Sequence, residues 1–234
     1  LIGVLQGKPA SIVTRLAGGY EATPSKTHCI LAAQTQAQAH LAALDYPIQQ
    51  ANLRGLSWWQ ANYPAIQPFL SVELNQLYQQ CLNEQIELQN SELWQGLPES
   101  AYHCDMFRDN VLFAGTYQNP SMGGLIDFYF AGVDKWIFDV AVAVNDWCIQ
   151  RDTGEFIRPH VKAWLAAYHE IRPFTDAERQ VWPQALRAAA LRFWTSRLYD
   201  FYLPREAQTL KPHDPTHFER VLKQRLNGYI PELP

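Results

Sequence analysis

Apolar side chains recur at helical spacing over several long stretches of the chain. Ile30, Ala33, Ala37, Leu41 and Leu44 keep that spacing after Thr23-Pro24, which reads as a cap and a first helical residue, and Asp45 to Pro47 ends the run. Pro68 to Gln89 predicts a second helix, with Leu70, Leu74, Leu77, Cys81 and Leu88 facing inward. Asp134 to Gln150 is a mostly apolar helix and Gly154 to Ile171 an amphipathic one. Asp176 to Leu203 is a long helix that Pro183 should kink or divide. A last helix, Thr216 to Leu226, is capped by His213-Asp214-Pro215 and ended by Asn227-Gly228. Strand patterns are fewer. Ala10 to Leu16 follows a Gly7-Lys8-Pro9 turn; Val111 to Phe113 and Gly124 to Phe128 flank a Gly/Asn/Pro-rich connection and read as a hairpin. Asn52 to Pro64 reads as a loop or short helix, and Asn90 to Ser100 as a connection.

Composition narrows the function classes. The 234 residues allow one large domain or two small ones, and 47% hydrophobic content is ample for a core. A net charge of −4 leaves no basic footprint for nucleic acid. No apolar run reaches membrane-spanning length, since Asp139, Asn145 and Asp146 interrupt Trp136 to Ile149. Cys29, Cys81, Cys104 and Cys148 are widely spaced without metal-ligand spacing and read as reduced thiols of a cytoplasmic enzyme. Of the eight tryptophans, some are expected to line a site and most to be core. Neither a GxGxxG nor a Walker pattern occurs, so Gly18-Gly19 is not a phosphate loop.

The chemistry concentrates between Tyr102 and Phe128. Phosphoryl transfer needs a carboxylate at the acceptor hydroxyl, and an amide oxygen with a second carboxylate to hold metal on the nucleotide phosphates. Mg²⁺ needs few protein carboxylates when phosphates supply the other oxygens. Asp105, Asn110 and Asp127 form such a set: the first two can flank one tight loop, and a hairpin can return the third beside them.

His103-Cys104-Asp105-(x4)-Asn110 followed by Ile126-Asp127-Phe128 resembles the catalytic and metal loops of the aminoglycoside phosphotransferase and choline kinase family, relatives of protein kinases. One departure is Cys104, where the family usually has Gly; Cys cannot relax into positive φ as Gly can. The resemblance implies an α+β, protein-kinase-like fold of two lobes. Residues 1–19 would be the end of a β lobe and its hinge, and residues 20–234 a helical lobe carrying a catalytic loop at 103–110 and a metal loop at 126–128. It implies ATP and Mg²⁺, with Asp105 orienting the hydroxyl and Asn110 and Asp127 holding the metal. Thr14, Arg15, Leu16 and Ala17 would be the adenine hinge, His103 a structural support, and Asp139 a tie to the backbone of the catalytic loop. Arg108 would touch the γ-phosphate or pair with Asp109.

The longer string through NDWC is similar to the family's bacterial members that act on homoserine, which implies L-homoserine as the small-molecule partner, with neither nucleic acid nor membrane. Asp146 is the candidate for its ammonium and Arg192 for its carboxylate, with Trp58 and Trp59 as walls or simply as packing. His40 is expected to be a core histidine with a satisfied partner. Other readings are a kinase of choline, hydroxylysine or an aminoglycoside, a catalytically weak binding module, or a metal-dependent hydrolase. Choline would want an aromatic cage; a hydrolase would want more histidines than His103.

A complete kinase of this kind carries, before the hinge, a strand Lys that meets the phosphates and a helix Glu that pairs with it. Before Thr14 there is only Lys8, in a turn, and Glu21 follows the hinge. The chain is therefore expected to be the C-terminal part of a longer one, binding ATP weakly and turning over little. Assay beside a version extended upstream tests this; full activity in the 234-residue chain alone would overturn it.

Overall fold

The computed structural model describes residues 2–204 and 212–234. Leu1 and residues 205–211, which fall within the two lobes expected above, lie outside the described residues. Ile2–Leu5 (β1) and Lys8–Ser11 (β2) pair antiparallel. Their turn is Gln6-Gly7, at φ 51° and 75°, the left-handed pair that a two-residue hairpin needs. The turn thus falls before Lys8, and residues 12–16, expected as strand, run on exposed and unpaired.

Gly19 then pairs with Phe113, N to O at 3.0 Å and O to N at 2.8 Å. Gly18 makes that approach possible. Its φ is 91°, and a Cβ there would lie 2.0 Å from the Phe113 carbonyl oxygen.

Lys26–Ala42 (α1) starts later than Thr23-Pro24 suggests. Ser25 is the cap: its side chain accepts from His28 N–H, and the His28 ring closes back on the Ser25 N–H. Leu56–Ile66 (α2), Val72–Gln89 (α3, capped by Ser71) and the short Glu92–Gln95 (α4) follow. Glu99–Tyr102 (β3) leads into the Cys104 loop. Val111–Gly115 (β4) and Pro120–Leu125 (β5) form a hairpin as expected, but its second strand lies earlier than Gly124 to Phe128, mostly within the stretch read as the connection, because Asp127 turns left-handed and Phe128–Phe130 is a 3-10 turn. Gly132–Lys135 (β6) returns antiparallel to β3. The β3–β6 pair has no alternating apolar pattern to announce it; tertiary contact alone creates it.

Trp136–Trp147 (α5), Arg158–Ile171 (α6), Asp176–Tyr202 (α7) and Thr216–Asn227 (α8) complete the chain. α7 runs unbroken through Pro183. Its start is secured by a Thr175/Glu178 capping box, and buried Glu178 also takes Arg172 at 2.7 Å. α5 is the centre of the helical layer. All twelve of its residues are buried, and it packs against α7, α6 and α1, while α1 lies on α6 and α8 on α7. An apolar helix covered on every side is what such a sequence requires. Seven tryptophans are buried and only Trp58 is half-exposed. Among the described residues no helix is long and apolar enough to cross a membrane.

Candidate active site

The loop between β3 and β4 is held from below by α5. Cys104 sits at φ 62°, the left-handed region, despite its Cβ. That conformation costs on the order of 1–2 kcal/mol for a non-glycine residue, and it aims the Cys104 N–H at Asp139 Oδ1, 3.1 Å away. Burial pushes the Cys104 thiol up, so it stays neutral. Asp139 is 1% exposed, and a buried carboxylate must be fully partnered. Its Oδ2 accepts from Gln36 Nε2 at 2.7 Å and contacts His40 Nε2 at 3.0 Å, while His40 Nδ1 meets the Tyr168 hydroxyl at 2.7 Å. Gln36 and His40 have a signal in the sequence: they are polar residues on or beside the apolar face of α1.

Two turns further along α5, Asp146 Oδ2 accepts from Arg108 N at 2.9 Å and from its Nε at 3.1 Å. Arg108 also donates to the Asp146 carbonyl and, 2.9 Å away, to Ala22 O. Both expectations for Arg108, the γ-phosphate and Asp109, give way to this buried pair. Trp147 Nε1 donates to Met106 O at 3.0 Å, a third tie between helix and loop.

Asp105, Asn110 and Asp127 are drawn together by three hydrogen bonds to backbone carbonyls. Asn110 Nδ2 donates to Asp105 O at 2.8 Å; Ile126 N donates to Asn110 O at 3.0 Å; His103 Nε2 donates to Ile126 O at 2.8 Å. The end of the hairpin is thereby fastened to the loop. Asp127 is exposed, at φ 62° and ψ 61°. With its nitrogen engaged, the Asn110 amide leaves Oδ1 free of hydrogen bonds among the described residues. One amide oxygen and one exposed carboxylate are the hard donors that Mg²⁺ takes beside phosphates. Among the described residues no group of three His, Cys, Asp or Glu could hold a metal.

Burial raises the Asp105 carboxyl above the usual carboxylate range, and the Arg192 guanidinium pulls it back. Arg192 Nη1 lies 3.7 Å from Asp105 Oδ1. Arg192 is itself buried, which brings it down to about 10, and its guanidinium lies 3.7 Å over the Phe193 ring. Its Nη2 has no hydrogen-bond partner.

The other residues singled out from sequence fall as follows. Thr14, Arg15, Leu16 and Ala17 form an exposed, irregular segment. It crosses the hairpin so closely that a Cβ on Gly123 would lie 2.3 Å from Ala17 O. Trp58 is half-exposed beneath the Arg54 guanidinium at 4.1 Å. Trp59 is fully buried, its indole donating to Arg54 O, so it is core and not a pocket wall. Asp146 and Arg192 do not form a free clamp for a zwitterion: Arg108 holds the first, and the second faces Asp105.

A kinase-like helical lobe with this loop and hairpin defines a class, and the comparisons agree. The model of the phosphotransferase enzyme family matches residues 1–174, and the chain belongs to that family. Among its relatives are the homoserine kinases of Burkholderia vietnamiensis and Burkholderia ambifaria, each 53% identical over 238 residues, covering 100% of this chain and 71% of theirs. That of Paraburkholderia phymatum is 52% identical over 232 residues, 97% of this chain and 72% of its own. Solved structures with the same fold include a choline/ethanolamine kinase family protein of Mesorhizobium loti (TM-score 0.63, 16% identity, 92% of this chain and 68% of that one). Another is the ethanolamine kinase of Plasmodium vivax (TM-score 0.63, 11% identity, 96% and 66%). The family implies ATP as phosphoryl donor and a small molecule as acceptor.

Asp139→Ala leaves the Cys104 N–H and His40 without their acceptor in a buried site, and leaves Gln36 only the carbonyl of residue 139. The expected loss is about 3–5 kcal/mol of unfolding free energy, read by urea denaturation. A loss below ~1 kcal/mol, the net worth of a single ordinary hydrogen bond, would show that the carboxylate does not organise the loop.

Proposed function

We propose that the chain transfers the γ-phosphoryl group of ATP to the side-chain hydroxyl of L-homoserine, giving O-phospho-L-homoserine, a step towards threonine, in the cytoplasm. The supporting observation is the convergence of Asp105, Asn110 and Asp127 on one loop and hairpin, in a chain 53% identical along its whole length to homoserine kinases. Asp105 accepts the proton of the acceptor hydroxyl as its oxygen bonds to the γ-phosphorus and the bond to ADP breaks. Asn110 Oδ1 and the Asp127 carboxylate hold Mg²⁺, which neutralises charge on the phosphates when bound. Thr14 to Ala17 meet the adenine edge. His103 and Asp139 support the loop without touching substrate. This division of labour suits a reaction that depends mainly on positioning and charge. A choline kinase is less well supported: among the described tryptophans only Trp58 is more than slightly exposed, and Arg54 lies on its face.

ATP-dependent phosphorylation of L-homoserine, measured against a panel of amino alcohols, tests the proposal. Asp105→Ala should lose ~10²–10⁴ in turnover, the usual worth of a positioned acid–base group, with nucleotide affinity nearly intact. Near-normal turnover would remove Asp105 from the reaction.

The charge of Arg192 should appear in the pH profile. Asp105 must be ionised to accept a proton, so activity falls as pH drops through its raised pKa. Arg192→Met removes the cation that restrains that rise, so the acid limb of kcat/KM should move to higher pH. An unmoved limb would mean that Arg192 does not act on Asp105.

A further inference from the structure

A cavity of about 460 Å³ opens beside the catalytic loop, between Phe107, Arg108 and Asp109 on one side and α7 and α8 on the other. That is room for a small metabolite. Most charged groups on its wall are already engaged. Arg108 and Asp146 hold each other. The Asp214 carboxylate accepts from Thr216 N at 2.9 Å and its hydroxyl at 2.7 Å, and His217 Nδ1 contacts Arg151 O at 3.2 Å.

Three charged side chains remain: Arg151, which is exposed and so largely hydrated, Arg197 and Asp109. Arg197 on α7 is half-buried and makes no hydrogen bond or ion pair among the described residues. Asp109, in the loop itself, is exposed and likewise unpaired among them. The Arg197 charge reaches both the reacting carboxylate and the cavity. Burial lowers its pKa, the carboxylates of Asp105, Asp200, Asp109 and Asp146 pull it back, and Arg197 is the main cause holding the His213 imidazole below its ordinary value. A half-desolvated guanidinium without an anion is a fork suited to a carboxylate.

We propose that this cavity receives the acceptor amino acid as a zwitterion, Arg197 binding its carboxylate and Asp109 its ammonium, with its hydroxyl directed to Asp105. The inference rests on the acceptor reading above and replaces Asp146 and Arg192 as the recognition pair. The two ends of the substrate are then read from opposite sides of the cavity. An amino alcohol lacking the carboxylate leaves Arg197 unpaired, and a hydroxy acid lacking the ammonium leaves Asp109 unpaired, so each loses affinity.

The test is titration calorimetry of the protein with Mg²⁺ and a non-hydrolysable ATP analogue, using L-homoserine, 3-amino-1-propanol and 4-hydroxybutanoate. Arg197→Gln should weaken L-homoserine about 10- to 100-fold, the worth of a charge-assisted hydrogen bond, and leave 3-amino-1-propanol unchanged. Arg197→Lys should recover part of the loss. Asp109→Asn should weaken L-homoserine and 3-amino-1-propanol but not 4-hydroxybutanoate; Asp109 is exposed, so this variant carries the test if Arg197→Gln does not fold. Equal losses for L-homoserine and 3-amino-1-propanol in Arg197→Gln, or no loss, would overturn the subsite while leaving the acceptor reading in place. A wild-type protein that does not bind L-homoserine would overturn the acceptor reading itself.

Discussion

The buried carboxylate of Asp139 is the constraint on which the site depends. A carboxylate at 1% exposure is tolerated only with its lone pairs filled. Here they are filled from three directions: the Cys104 N–H of the loop, and Gln36 and His40 of α1. One side chain thus ties the first long helix, the central helix and the loop carrying Cys104 and Asp105 together. The demand is mutual. The Cys104 N–H reaches Asp139 only because the residue accepts a left-handed backbone, and the hydrogen bond offsets the strain of a Cβ at that φ.

The same helix repeats the device two turns on. Asp146 takes the backbone and side chain of Arg108, and Arg108 reaches across to Ala22. The loop is pinned near both ends to one rigid, wholly buried helix, so Asp105 projects from a fixed backbone. Positioning of this kind is the main protein contribution to phosphoryl transfer. Around Asp105 the charges are graded. Burial resists its ionisation, Arg192 at 3.7 Å favours it, and Arg197 adds a weaker pull from the cavity side.

Glycine supplies the closeness that the hairpin needs. Gly18 lets Gly19 pair with β4, and Gly123 lets Ala17 approach β5. The segment around Ala17, the hairpin and the Asp105 loop therefore meet without intervening side chains, and the Ile126–Asn110 and His103–Ile126 hydrogen bonds bring Asp127 to the same place.

Much of this was written in the linear order of residues. The helical periods located α1, α3, α5, α6, α7 and α8, because burial on one or all faces leaves a mark at every turn. The turn residues between Val111 and Phe128 announced a hairpin, though its second strand starts earlier than the apolar pattern suggests. Tertiary structure alone decided the rest. β3 and β6 are too short and polar to carry a pattern and exist only as each other's partners. Ser25, not Thr23, caps α1, because the His28 ring can close on it. The sequence marks Arg108, Arg192 and Arg197 only as arginines. Which one is spent on Asp146, which faces Asp105 and which is left open to the cavity depends on where distant helices bring their carboxylates. A charge acquires its role from its nearest partner, and that partner is set by packing between elements far apart in the chain.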